Sequence, residues 1–199
     1  WVPGTFHVES FVASGVPRAR MRLVPYGVDT AVFRPGPAAP ASGRFRFLYT
    51  FQFDWRKGFD LLLEAYLGEF SRDEPTELVV KVFDTHPTRR PRAELIRSVA
   101  DRVDLFRQDL PLVTVLDEPI DRAEMIALYR SADLYVSTDR ANGWGMPCHE
   151  AMACGRAAAA IDWSGSTEFM HAGNALPIPA SVNAVTRAVL AIVFMVELR

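Results

Sequence analysis

The sequence is poor in the residues that staple or metallate small folds. It has two cysteines, Cys148 and Cys154, and four histidines in 199 residues. Two cysteines exclude a disulfide scaffold, and no Cys-x-x-Cys or other zinc spacing is present. The two would lie six positions apart on one helix, a poor geometry for pairing. Cys154 reads as a small packed residue at the helix end. His7, His86, His149 and His171 form no ligand pair, so no metal is expected. An excess of one charge is missing too. Lys plus Arg number 22 and Asp plus Glu 24, which gives no broad nucleic-acid-binding face. The longest apolar run, 188–196, is far too short for a membrane span, and no signal peptide is visible. A cytoplasmic location is the expectation.

What is present is a foldable composition, 49% hydrophobic and 23% charged. The chain opens in mid-pattern with Trp1-Val-Pro-Gly and reads as a piece of a longer polypeptide. A site shared between two domains would then be half absent. A Pro/Gly/Ala-rich segment, 35–43, looks like a linker. Beyond it, strand patterns at 44–51, 77–83, 113–116, 133–138, 157–161 and 175–178 alternate with helical ones. The helices fall at 57–70, 91–107, 122–131, 147–153, 167–171 and 179–198, and His7 lies in an earlier helical pattern. The last helix is apolar nearly all round, as either a core helix or one whose partner lies outside this chain. The strands are continuous apolar runs, which fits burial on both faces. The fold class expected is therefore α/β, a Rossmann-like doubly wound parallel sheet of about six strands with helices on both faces. Ligands of such sheets sit at the carboxyl ends of strands, near helix N-termini. The loops to examine follow Phe51, Phe83, Leu116, Thr138 and Ile161.

Two of these loops carry chemistry. The first is Asp54-Trp-Arg-Lys-Gly-Phe-Asp60. Arg56 and Lys57 stand at a strand end beside a helix start, where two fixed cations suit a diphosphate. The alternative is a solvated basic pair capping the loop. The second is the stretch from Asn142 to Gly155. Its glycines Gly143 and Gly145 let the backbone pass close to a ligand, and Pro147 suits the first helical turn. Free N–H groups there favour an anion. One turn in, Glu150 would repel phosphate but accept hydrogen bonds from vicinal sugar hydroxyls. The alternative is an ordinary helix start with a dipole-compensating Glu. Asp84-Thr-His86, after the second strand, is either a cleft lining or a polar loop cap, and Glu168 is a further candidate for the cleft.

The second stretch resembles the signature of the retaining GT-B glycosyltransferases of family 4, the glycosyl transferases group 1. The pattern there is Glu, Gly, aromatic, Gly, Leu or Met, Pro, two residues, then Glu-Ala-Met-Ala-Cys/Ser-Gly. Gly143, Trp144, Gly145, Met146, Pro147, Glu150, Ala151, Met152, Ala153, Cys154 and Gly155 match it. Arg56-Lys57-Gly58-Phe59-Asp60-Leu61-Leu62 is similar to the family's Lys-Gly-x-Asp-x-Leu helix start. Val24-Pro-Tyr-Gly-Val-Asp-Thr-Ala-Val-Phe-Arg-Pro35 is similar to its interdomain strand and linker, and Ser164-Gly-Ser-Thr-Glu168 to its Gly-Gly-x-x-Glu. The matches run in family order from residue 1 to about 178.

This resemblance implies the C-terminal half of a two-domain GT-B enzyme. Residues 1–37 would be the end of the N-terminal domain and the linker, and 38–199 the nucleotide-sugar-binding domain. The donor would be UDP- or GDP-linked, transfer would retain anomeric configuration, and no metal or other cofactor would be needed. Arg56, Lys57, Gly145 and Met146 would bind the donor diphosphate. Glu150 would hold the ribose hydroxyls. Asn142, Gly143 and Trp144 would lie at the donor sugar and nucleoside, and the loop from Asp117 to Pro119 at the base. Asn142 and Glu150 would be the catalytic positions. The acceptor, a glycan, lipid or small molecule, would bind through the N-terminal domain. The full-length protein would have no nucleic-acid partner and would be open to peripheral membrane association. Two positions depart from the pattern. Asn142 stands where the family has a carboxylate, and a neutral amide cannot stabilise an oxocarbenium-like centre. Gln52 lies where many members have a second cation, a role Arg56 would take. A non-catalytic nucleotide-sugar-binding module is the alternative these departures favour.

Overall fold

The computed structural model describes residues 1–37, 43–83 and 108–180. In chain order these form α1 (Thr5–Ala13), β1 (Phe45–Gln52), α2 (Phe59–Glu69), β2 (Thr76–Phe83), β3 (Leu112–Leu116) and α3 (Arg122–Ser131). They continue as β4 (Leu134–Ser137), α4 (Met146–Ala153), β5 (Ala157–Ile161) and β6 (Leu176–Ile178). The six strands make one sheet in the order β3-β2-β1-β4-β5-β6, every pair parallel. This is the doubly wound α/β sheet that the apolar runs predict. The strand order reverses between β1 and β4, so a crevice opens at their carboxyl ends.

β1 shows why the sheet is two-sided. Phe45, Phe47, Tyr49 and Phe51 alternate onto one face. There Phe47 packs on Tyr66 of α2 and on Phe70 just beyond it, and Phe51 stacks on Phe59 with ring centroids 5.3 Å apart. Leu48 and Thr50, on the opposite face, are buried as well. Thr50 is satisfied there by the Tyr135 hydroxyl at 3.0 Å. At the other end of the sheet, buried Glu77 accepts from Arg46 and from Thr114 and so ties β1, β2 and β3 together. α3 begins with a capping box in which Asp121 and Glu124 each accept the other's backbone N–H.

Two expected helices differ from the structure. The 57–70 helix is interrupted: a 3-10 turn, Trp55–Lys57, leads into α2 through Gly58 at φ +60°. The helix expected at 167–171 is instead a 3-10 turn at Ser164–Glu168. It forms earlier because Ser164 adopts φ +70° and Gly165 packs flat against the carbonyl of Gly143. Ser164 occupies the first Gly position of the Gly-Gly-x-x-Glu pattern, where a left-handed conformation costs glycine nothing. The strands fall within a residue or two of expectation. The expected 91–107 helix, Asp84 to His86 and residues 181–198 of the expected final helix lie outside the described residues. Among the described residues no helix is long and apolar enough to cross a membrane.

Among the described glycines, Gly58 has the least room for a side chain. A β-carbon there would lie 2.1 Å from the Thr138 carbonyl oxygen, and its φ is left-handed. Gly58→Ala should therefore destabilise the fold by at least about 2 kcal/mol, read as a lower urea midpoint at unchanged slope.

Candidate functional site

Two loops meet at the crossover. One leads from β1 to α2 and the other from β4 to α4. They are sewn together residue by residue. The Thr138 hydroxyl donates to the Gly58 carbonyl at 2.8 Å, and the Arg140 N–H to the Arg56 carbonyl at 2.8 Å. The Arg140 guanidinium grips both oxygens of Asp60 at 2.7 Å and also donates to the Trp55 carbonyl. Asp60 is fully buried in the first turn of α2, so Arg140 supplies the charge its carboxylate needs there.

The two expected anion-binding cations both sit in this seam, already engaged. Arg56 Nη1 donates to the Ala141 carbonyl at 2.8 Å. Lys57 Nζ lies 3.2 and 3.3 Å from the two oxygens of Asp139. Asp139 is buried and accepts from the Tyr49 hydroxyl at 2.8 Å and the Ser137 hydroxyl at 3.2 Å as well. The Tyr49 hydroxyl also faces the Lys57 carbonyl. Burial, then the charge of Asp139, hold the Tyr49 phenol protonated, well above its ordinary value. An ammonium has three N–H donors and Asp139 takes at most two, so Lys57 keeps donor capacity for an anion.

Asn142 is fixed from three directions. Its Oδ1 accepts the Trp144 N–H at 2.8 Å, and its carbonyl accepts from the Gly165 N–H and the Ser164 hydroxyl. Gly143 is exposed beside it, with the His7 ring of α1 as its neighbour. The Trp144 indole is turned inward. It donates to His149 Nδ1 at 3.2 Å and packs edge-on to Tyr26. Trp144 thus supports the loop from beneath, and what it presents to the crevice is backbone. Gly145, at φ +91°, turns the chain into α4, and Met146 and Pro147 open that helix. Its first turn therefore presents backbone N–H groups and the positive end of the helix dipole to the crevice.

Glu150, one turn into α4, is half-buried, and its Oε2 accepts the Tyr129 hydroxyl of α3 at 2.8 Å. Burial pushes its carboxyl above the ordinary Glu value, against the lowering effects of Tyr129 and Arg122. Asp117 follows β3, the far edge of the sheet and two strands away from the crossover. It lies next to buried Lys81, whose ammonium donates to the Val82 and Glu118 carbonyls at 3.1 and 2.9 Å. Arg56, Lys57, Asn142, Gly143, Gly145 and Met146 are thus brought together, whereas Asp117 lies on the loop after the edge strand β3. Glu168 does not face the crevice. Its Oε1 accepts from the Thr5 hydroxyl at 2.7 Å and the Phe6 N–H at 3.0 Å, capping the N-terminus of α1.

With the geometry in view, comparison with known proteins is decisive for the family. The family model described as glycosyl transferases group 1 matches residues 44–193. The chain belongs to that family. A D-inositol 3-phosphate glycosyltransferase of Acidothermus cellulolyticus is 28% identical over 165 residues, covering 77% of this chain and 36% of the relative. The chain thus spans about a third of that relative's length. Among solved structures, the C-terminal domain of a group 1 glycosyl transferase (LpcC) from Francisella tularensis superposes with TM-score 0.66 at 20% identity. It covers 86% of this chain and 88% of that one. Anabaena Alr3699/HepE, solved with UDP and glucose, gives TM-score 0.76 at 14% identity over 98% of this chain and 53% of that one. These likenesses establish the fold, that of a group 1 C-terminal domain.

Sequence reasoning missed Tyr49, Asp139, Arg140 and Tyr129. Asp139-Arg140 carried a signal, a charge pair placed directly after an apolar strand in a loop already singled out. The tyrosines looked like core residues, and their hydroxyls, which need partners when buried, were the only clue.

Two predictions follow from the electrostatics. The Glu150 carboxyl should titrate above the ordinary Glu value of 4.5 in carbon-detected NMR, so any ligand bound to its ionised form is lost at a higher pH on acidification than from a solvated Glu. Burial, then the charge of Asp139, push the Cys148 thiol up to about 12, and burial raises Cys154 also. Neither should react with an aromatic disulfide reagent at about pH 8 while the chain is folded, and both should react in denaturing urea.

Proposed function

We propose that this chain is the donor-binding half of a glycosyltransferase. It would move a hexose from a UDP- or GDP-linked donor to an acceptor hydroxyl with retention of anomeric configuration. Residues 1–37 then close an N-terminal domain and link it to the nucleotide-sugar domain at 38–199. The observation that carries this reading is the convergence at one strand crossover of three groups. They are a cation with donor capacity, Lys57, a glycine-flanked helix N-terminus, Gly145-Met146, and a half-buried carboxylate one turn further on, Glu150. A diphosphate needs the first two, and a ribose diol needs the third. The HepE structure, solved with UDP and glucose, supports a nucleotide-sugar ligand for this fold.

In this reading Lys57, with Arg56 behind it, neutralises the diphosphate, and the N–H groups at Gly145 and Met146 take its oxygens. Glu150 accepts from the ribose hydroxyls. Asn142 and Gly143 border the donor sugar, Trp144 holds their loop in place, and Asp117 and its neighbours approach the base. Fixed cations and a helix terminus do the charge work without a metal. The acceptor is bound by the rest of the whole protein. Asn142 favours a second reading, a donor-binding module without turnover, because its amide is neutral and its oxygen is committed to the Trp144 N–H.

Calorimetric titration with UDP, GDP and ADP in metal-free buffer tests the proposal. Saturable binding of one nucleotide is expected, and Lys57→Ala and Glu150→Ala should each weaken it by about tenfold or more. Unchanged affinity in Glu150→Ala overturns the ribose assignment. Asn142→Glu in the whole protein separates the two readings. A gain in sugar transfer marks a donor-binding module whose chemistry has lapsed, and wild-type transfer without it marks an enzyme.

A further inference from the structure

We propose that Tyr129 is a positioning residue for nucleoside recognition: its hydroxyl fixes one oxygen of Glu150 so that the other is presented to the two ribose hydroxyls. This inference rests on the donor-site reading above and adds a residue from α3 that belongs to no part of the crossover seam.

The geometry carries it. The Tyr129 hydroxyl lies 2.8 Å from Glu150 Oε2, and Tyr129 itself is buried in the core. Its ring is held by edge contacts with Phe33 and Tyr135, at centroid distances of 6.3 and 6.1 Å. The hydroxyl therefore cannot swing away from Glu150. A Glu side chain at a helix surface ordinarily samples several rotamers, and binding a diol would have to freeze them. Here the freezing is done in advance by a donor anchored in the core. The same bond is charge-assisted, and it counters the burial that would otherwise favour the protonated acid. A protonated Glu150 would offer the ribose a poorer acceptor, so one hydroxyl sets both the direction and the charge of the carboxylate. Arg122, also on α3, adds a second stabilising charge, and Tyr129 is itself held protonated by burial, so it stays a donor.

Tyr129→Phe removes this hydroxyl and keeps the ring packing. The experiment compares the affinities of UDP and 2′,3′-dideoxy-UDP for wild type, Tyr129→Phe, Glu150→Gln and the double variant, with GDP and its dideoxy form if wild type prefers guanine. Wild type should favour the ribonucleotide by about tenfold or more, and Tyr129→Phe should cut that preference to about threefold or less. It should leave the dideoxy affinity unchanged. In the Glu150→Gln background, Tyr129→Phe should change the preference no further. A general packing defect would weaken both nucleotides alike, and that result overturns the proposal. So does a preference in Tyr129→Phe equal to that of wild type. Wild type that binds neither UDP nor GDP overturns the donor-site reading, and this inference with it. A wild type that binds UDP and its dideoxy form equally overturns the ribose contact alone.

Discussion

The carboxyl edge of the sheet depends on the neutralisation of one buried carboxylate. Asp60 lies in the first turn of α2 with no exposure to water, and Arg140 meets both of its oxygens. A carboxylate at a helix start is helped by the dipole, but a fully buried one needs a cation as well. Once Arg140 is committed, the loop after β4 has no freedom. Its backbone N–H bonds to Arg56, the preceding Thr138 lies against Gly58, and Asp139 is turned back towards Lys57. The left-handed Gly58 and the break between the 3-10 turn and α2 are consequences of that contact, since no β-carbon fits beneath Thr138.

This seam alters how the crevice handles charge. A row of free cations would attract any anion. Here two of the cations are paired with carboxylates, Lys57 with Asp139 and Arg140 with Asp60, and Arg56 is held by a backbone carbonyl. Pairing reduces attraction at long range, so in the proposed reading selectivity would fall to short-range groups: the N–H donors at the start of α4, the remaining donor of Lys57 and the fixed carboxylate of Glu150. A bare phosphate satisfies the first two only. Under the proposed reading, a ligand that combines diphosphate and diol would engage all three and so be told apart from inorganic anions.

The architecture was largely legible in the sequence. Continuous apolar strands such as 77–83 and the alternation with helices led to the parallel sheet, because burial on both faces leaves that imprint directly on composition. The loops that carry the site were legible too, since glycine, proline and charged residues cluster directly after apolar strand patterns there. The partners within the site were not. Arg56 and Lys57 read as cations waiting for an anion, yet each is engaged by a loop more than eighty residues away. No local pattern encodes a contact of that separation. The position of Tyr129 on α3 marks it as core and is silent on what its hydroxyl meets, and the motif that makes Glu168 a candidate for the cleft does not encode its contact with α1. The shift of the turn from 167–171 to Ser164–Glu168 follows from a positive φ at a non-glycine residue, which sequence propensity argues against.

That five-residue turn has a bond at each end. Ser164 and Gly165 hold the carbonyl of Asn142, and Glu168 holds the Phe6 N–H and the Thr5 hydroxyl of α1. A 3-10 turn is short and stiff, and Gly4 lets α1 approach so closely that a β-carbon there would lie 2.5 Å from the Glu168 carboxyl. The turn is therefore a strut rather than a hinge. Torque applied to α1 from outside the sheet is not dissipated in a slack loop but arrives at Asn142, far away in sequence yet mechanically next in line. Leverage on the first helix is leverage on the floor of the crevice.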